Sequence, residues 1–225
     1  MSNKPILFNT EMVEAIRGKR KTQTRRIAFP GDDLREFRSA EYPEGWWYKG
    51  RVFKSFDDFL KYQQSPRCQY KPGDVLWVRE TWRPIEASSA GWCRIEYKAG
   101  GFESFQKIIA VPKYQEPWHP SIHMPKEAAR IFLRVKGVRL EQLRSITDRD
   151  AEREGVSCFY PGTNMVVPET MNFIKVWDNT IKPAERERYG WDANPWVWVI
   201  DFEQCNRPDD WFDWQPPKGE IDGHA

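Results

Sequence analysis

No C-x-x-C pair occurs in the chain. Its four cysteines, Cys68, Cys93, Cys158 and Cys205, stand far apart. That spacing argues against a zinc site or a disulfide framework and for reduced thiols. No apolar run reaches the length that crosses a bilayer, and the first five residues carry no apolar segment of the secretion-signal type. The expectation is a cytoplasmic protein with no membrane partner. Three motifs are also missing: G-x-x-x-x-G-K-[ST], G-x-G-x-x-G and G-x-S-x-G. Phosphate-loop, dinucleotide-fold and nucleophile-elbow chemistry are therefore not indicated. Internal repeats are absent. Excess charge is absent too: the net charge is only +2, so any nucleic-acid affinity must come from a local patch.

Aromatic weight is what the chain has instead, with 12 tryptophans among 225 residues. Such rings stack on bases or fill cores, and a hydrophobic content of 40% allows one good core with large insertions. The densest local signal is the stretch Arg17–Arg26, which holds six cations, two threonines and no acid. Density of this kind reads as a solvated, anion-seeking surface. Its geometry should be fixed, because it leaves a helix end. Thr10 can cap a helix whose Met12, Val13 and Ile16 share a face, and Gly18 can end it in the left-handed conformation.

Ile6 to Phe8 should form a first strand. Residues 28–70 have no clear period and read as an insertion with one short helix near 55–63. A turn at Lys71 to Asp74 leads into Val75 to Trp82, an apolar strand with Arg79 and Glu80 near its end. Those two mark either a pocket rim or an ion pair at a sheet edge. Cys93 to Tyr97 alternates as a strand, and 99–117 is a second excursion. His119 and His123 are four apart, but Pro120 rules out a helical metal pair. His123 faces either a pocket or its own loop. Ala128 to Leu140 is a strand or a bent pair.

Ser145 to Gly155 is a short helix with a Thr147–Asp150 capping box and Gly155 at its end. Glu154 lies in its last turn, where the helix dipole disfavours a carboxylate. It needs a nearby cation, or it is simply exposed. After a loop at 157–167, Pro168 starts a helix whose Phe173, Val176, Trp177 and Ile181 share a face. Trp196 to Phe202 is the strongest strand of the chain. The tail 206–225 is acidic, proline-rich and expected to be poorly ordered, with Trp211, Phe212 and Trp214 able to dock it. Dispersed short strands among a few helices suggest an α+β barrel rather than a doubly wound sheet.

Three segments in order resemble the ASCH family of PUA-like β-barrels. They are Gly18-x-Arg20-Lys21-Thr22-x-Thr24-x-Arg26, Pro72-Gly73-Asp74-x-Leu76-x-Val78 and Thr147-x-x-x-Ala151-x-x-Glu154-Gly155. Trp82, Trp118 to Pro125 and Asn194 to Val199 are similar to the longer ASCH subgroup common in phage and prophage genomes. The resemblance implies one α+β domain over 1–205: a small mixed barrel flanked by short helices, with insertions near 28–70, 83–117 and 157–167. It also implies binding of RNA or a nucleoside. One branch of the family comprises the bacterial N(4)-acetylcytidine amidohydrolases. By motif, their catalytic lysine, threonine and glutamate correspond to Lys21, Thr24 and Glu154, working without a metal or other cofactor.

The chemistry is coherent. A neutral lysine can activate a threonine hydroxyl, and Arg20, Arg25 and Arg26 would favour the neutral form. Glu154 either holds Lys21, or protonates the leaving amine, or raises the lysine's pKa against the base role. Substrate contacts are expected from Arg20, Arg26, Trp77, Arg79, Glu80, Trp118 and His123. The partner is a modified nucleoside or single-stranded RNA. Two other readings stand: a pocket that binds RNA or a modified base without turnover, and a phage accessory or assembly protein.

Overall fold

The computed structural model describes residues 2–29, 34–37, 39–62, 68–87, 92–106, 117–159, 162, 165–209 and 211. In chain order the elements are β1 (Asn3–Leu7), α1 (Thr10–Arg17), β2 (Gln23–Ile27), β3 (Leu34–Phe37), β4 (Gly45–Tyr48), β5 (Arg51–Phe53), α2 (Phe56–Tyr62), β6 (Val75–Arg79), β7 (Trp82–Ala87), β8 (Trp92–Tyr97), β9 (Phe102–Gln106), β10 (Phe132–Gln142), α3 (Asp148–Arg153), α4 (Glu169–Thr180), α5 (Arg186–Tyr189) and β11 (Trp196–Cys205). This is a mixed α+β chain. Among the described residues no sheet closes on itself, so the expected closed barrel is not what these strands form.

The chain divides into two compact units. The first holds 1–19, 74–134 and 203–225; the second holds 20–73 and 135–202.

In the first unit β1 runs parallel to β6, and the start of β10 pairs antiparallel with the other edge of β6. β7, β8 and β9 form a separate antiparallel sheet. Val75 to Trp82 is not one strand: β6 stops at Arg79, and Trp82 opens β7. β9 was not legible in the sequence, and 107–116 lies outside the described residues. The core gathers Val75, Trp77, Trp82, Ile95, Tyr97, Met124, Phe132 and Trp211. Trp211 therefore does dock the start of the tail, edge-on to Phe132 at 4.8 Å. Phe212 and Trp214 lie outside the described residues.

Helix α1 corrects two expectations. Its N-cap is Asn9, whose side chain accepts from Met12 N–H, and Thr10 is the first helical residue. At its far end Gly18 keeps a negative φ of −76°. The left-handed residue is Lys19, at φ +58°.

In the second unit β11 pairs antiparallel with β2, Thr24 opposite Ile200 and Gln23 opposite Asp201. One core cluster joins Val197 and Val199 to Leu143, Ala151, Phe173 and Trp177, under α3 and α4. Ring contacts join Phe29, Tyr48, Phe59 and Trp198, and Trp46 and Phe56 against Trp196. The insertion at 28–70 thus supplies its own hairpins, β3–β5, and a short helix, α2, at the place expected. Its aromatics follow no period because they meet rings from distant strands rather than one face of one element.

Candidate functional site

The site is built where the basic stretch meets the end of α3, within the second unit. The capping box holds as read: the Thr147 side chain accepts from Asp150 N–H, and the Asp150 side chain accepts from Thr147. Glu154 is the C-cap residue of the helix. Gly155 turns the chain away at φ +87°, a conformation that strains side chains with a Cβ. Lys21 and Glu154 form an isolated antiparallel bridge, and Thr22 N–H donates to Arg153 C=O at 2.8 Å. Two segments far apart in sequence are therefore tied through their backbones.

The side chains complete the tie. Lys21 Nζ donates to Glu154 Oε2 at 2.7 Å and to the Glu154 carbonyl at 2.8 Å, all of it buried. The dense basic stretch is thus not a uniformly solvated surface. Lys19 and Arg20 are exposed, whereas Lys21 and Arg25 are buried. Arg20 Nη1 donates to the Gly155 carbonyl at 3.2 Å.

From Gln23 onward the strand alternates, so Gln23 and Arg25 face one side while Thr24 and Arg26 face the other. Lys21 precedes the strand and is not bound by that alternation. Arg25 Nη1 donates to Glu154 Oε1 at 3.0 Å and to Gln23 Oε1 at 2.8 Å. Gln23 Nε2 donates in turn to Asp201 Oδ1 at 2.8 Å. Asp201 also accepts from Arg139 and Arg153, each at 2.6 Å. Thr24 is only 2% exposed.

Burial pulls the Lys21 ammonium below its ordinary value. Glu154 opposes that shift through its charge and its hydrogen bond, while Arg26 and Arg25 add to it; the net direction is down. Asp150 stays below its usual range. Burial alone would raise it, but the hydrogen bonds from Thr147 and the charges of Arg25 and Arg139 outweigh that. The arrangement is a buried amine with a lowered pKa, a carboxylate that holds it, and a buried threonine three residues along.

The other expected site residues belong to the first unit. Trp77 packs in its core beside Trp211, with the Arg79 guanidinium 5.5 Å from its ring centre. Arg79 donates to the Ile122 carbonyl. Glu80, 1% exposed, does not pair with Arg79. It takes both oxygens to Arg130, at 2.8 Å each. Trp118 lies half-buried beneath Arg83, whose guanidinium is 4.5 Å from a ring centre. His123 is exposed in the 3-10 turn Ser121–His123.

Gln23 and Asp201 are the members that sequence reasoning missed. The available signal was a lone carboxylate in the most apolar strand, Trp196 to Phe202, which needs a polar partner if buried. Among the described residues no group of three His, Cys, Asp or Glu is placed to hold a metal ion, and no helix is long and apolar enough to cross a membrane. No family model, curated protein or solved structure matches the chain.

Proposed function

We propose that this chain is an ASCH-type amidohydrolase that removes the acetyl group from N(4)-acetylcytidine or a closely related modified nucleoside. The observation that carries the reading is the buried Lys21–Glu154 pair at 2.7 Å, with Thr24 buried three residues along. An ordinary surface ion pair would not be buried in this way, and its lysine would not be biased toward the neutral form. On this reading the PUA-like core is an open sheet over the described residues.

The reaction requires neutral Lys21 to reach the Thr24 face of β2 and take the proton of Thr24 Oγ1; that oxygen then attacks the acetyl carbonyl carbon. The tetrahedral intermediate collapses as the C–N bond breaks, and the Lys21 ammonium returns its proton to the departing exocyclic nitrogen. Water then attacks the acetyl-threonine ester as Lys21 takes its proton; the acyl C–Oγ1 bond breaks, Lys21 returns that proton to Thr24 Oγ1, and the acetic acid formed leaves as acetate after giving its proton to solvent. Glu154 fixes the amine throughout. Arg26, on the Thr24 side of β2, adds positive charge toward the developing oxyanion.

The test is direct. Purified protein is incubated with N(4)-acetylcytidine, and cytidine is followed by chromatography. The reading expects stoichiometric cytidine and acetate. No release at high protein concentration would remove it for this substrate.

A binding-only pocket is the second reading. It is favoured by the exposed Arg20, whose guanidinium reaches the carbonyl next to Glu154. That reading expects single-stranded RNA to bind with steep salt dependence and no turnover.

A further inference from the structure

A carboxylate beside a lysine that must act as a base poses a physical problem. The closer the anion, the more it stabilises the ammonium and removes the base. Here the Glu154 carboxylate does not belong to Lys21 alone. Oε2 accepts from Lys21 at 2.7 Å, while Oε1 accepts from Arg25 at 3.0 Å. Arg25 is itself held: the same Nη1 reaches Gln23 Oε1 at 2.8 Å, and Gln23 is fixed from behind by Asp201 at 2.8 Å. The Arg25 guanidinium also lies 5.8 Å from the Phe173 ring centre.

We propose that Arg25 is a positioning residue of the Lys21–Glu154 pair. Held by Gln23, it takes one oxygen of the carboxylate, turns the other toward Lys21, and supplies the counter-charge that lets Lys21 stand neutral. A neutral amine has two hydrogens and one lone pair. The Glu154 carboxylate and carbonyl, at 2.7 and 2.8 Å, accept both hydrogens. Were Lys21 protonated, the buried set Lys21, Arg25 and Glu154 would carry a surplus positive charge. With Lys21 neutral that fully buried trio is balanced by itself, while Glu141 and Asp150, partly exposed, face Arg25 at 3.6 and 3.8 Å.

The charged groups around the set come from several elements. On β2 there is Arg26, whose charge lowers the Lys21 value in the same direction as that of Arg25 and somewhat more. From β10, Glu141 lies 3.6 Å from Arg25 Nη2, and from α3, Asp150 lies 3.8 Å from it. Arg139, Arg153 and Asp201 complete the layer behind Gln23. Arg25 Nε and Nη2 make no hydrogen bond, so its one tight side-chain commitment besides Gln23 is to Glu154.

The proposal takes its purpose from the hydrolase reading, but its test reads the lysine itself and needs no substrate. The Lys21 side-chain signal, assigned by its loss in Lys21→Met, is titrated by NMR in the wild type, Arg25→Gln and Arg25→Lys. Arg25→Gln should raise the Lys21 midpoint by about one pH unit or more, because a cation leaves and Glu154 turns wholly to the lysine. Arg25→Lys keeps the charge and should move the midpoint much less. If Arg25→Gln does not fold, Gln23→Met, which keeps every charge and frees Arg25 from its brace, should still raise the midpoint. A Lys21 midpoint unchanged in the folded Arg25→Gln, or in Gln23→Met where that variant carries the test, overturns the proposal. Should cytidine release be absent while the midpoint moves as stated, the positioning role stands and the hydrolase reading falls.

Discussion

Lys21 meets Glu154 twice, once at the carboxylate and once at the main-chain carbonyl, with both residues out of water. Removing either partner should therefore have unequal effects. Glu154→Ala takes the close anion from the buried Arg25 and the acceptor from the buried Lys21 amine, and should cost about 3–5 kcal/mol of stability. Lys21→Met leaves Glu154 still held by Arg25, and should cost clearly less. Urea unfolding of the two variants checks the order. Equal losses would mean that Arg25 does not compensate the carboxylate.

The lowered Lys21 value fixes the sign of a pH effect. The folded state disfavours the ammonium, so between the folded value and the ordinary 10.5 the unfolded chain binds more protons. Stability from this group accordingly rises with pH across that window, by about 1.4 kcal/mol for each pH unit the window spans. Wild type should gain on Lys21→Met as pH climbs toward 10.5. A difference that is flat or falls with pH would contradict the lowered value.

Glu80 and Arg130 give the opposite slope. Burial raises the Glu80 carboxyl above its usual range, and the hydrogen bonds and charge of Arg130 oppose that. Arg130→Ala strands the carboxylate and should cost about 3–5 kcal/mol near neutral pH. As pH falls through the raised value, Glu80 takes up a proton and the deficit should shrink. Unfolding of wild type and Arg130→Ala across a pH series reads this directly. Adding Glu80→Gln to the variant should remove the pH dependence.

Trp211 ties the start of the tail to the first unit. It lies edge-on to Phe132 at 4.8 Å and to Trp77 at 6.0 Å, with Lys126 Nζ 4.3 Å from its ring centre. Trp211→Ala should destabilise by about 3 kcal/mol, as large-to-small core changes do. A loss within a few tenths would mean that the ring is not part of that core.

The sequence disclosed what is local. The Thr147–Asp150 box, the helix after Pro168, the strand from Trp196 and the α2 helix all follow from neighbours a few residues apart. It hid what depends on distance along the chain. Nothing near Lys21 and Arg25 shows that they are buried, because their anion lies 133 and 129 residues away. Glu80 finds Arg130 50 residues on, not its neighbour Arg79. Lys19 rather than Gly18 takes the left-handed turn, so the residue suited to a conformation is not always the one that adopts it. Among the described residues the sheet edges stay open where a barrel was expected, since pairing between strands is not written in either strand alone.

The most direct measurement of the central claim is where the acetyl group goes. The protein is mixed with N(4)-acetylcytidine, quenched in acid during turnover, digested and analysed by mass spectrometry. An acetyl group is expected on Thr24 in the wild type, and neither adduct nor cytidine release in Thr24→Val. Cytidine released with Thr24 unmodified, and undiminished in Thr24→Val, would contradict the mechanism.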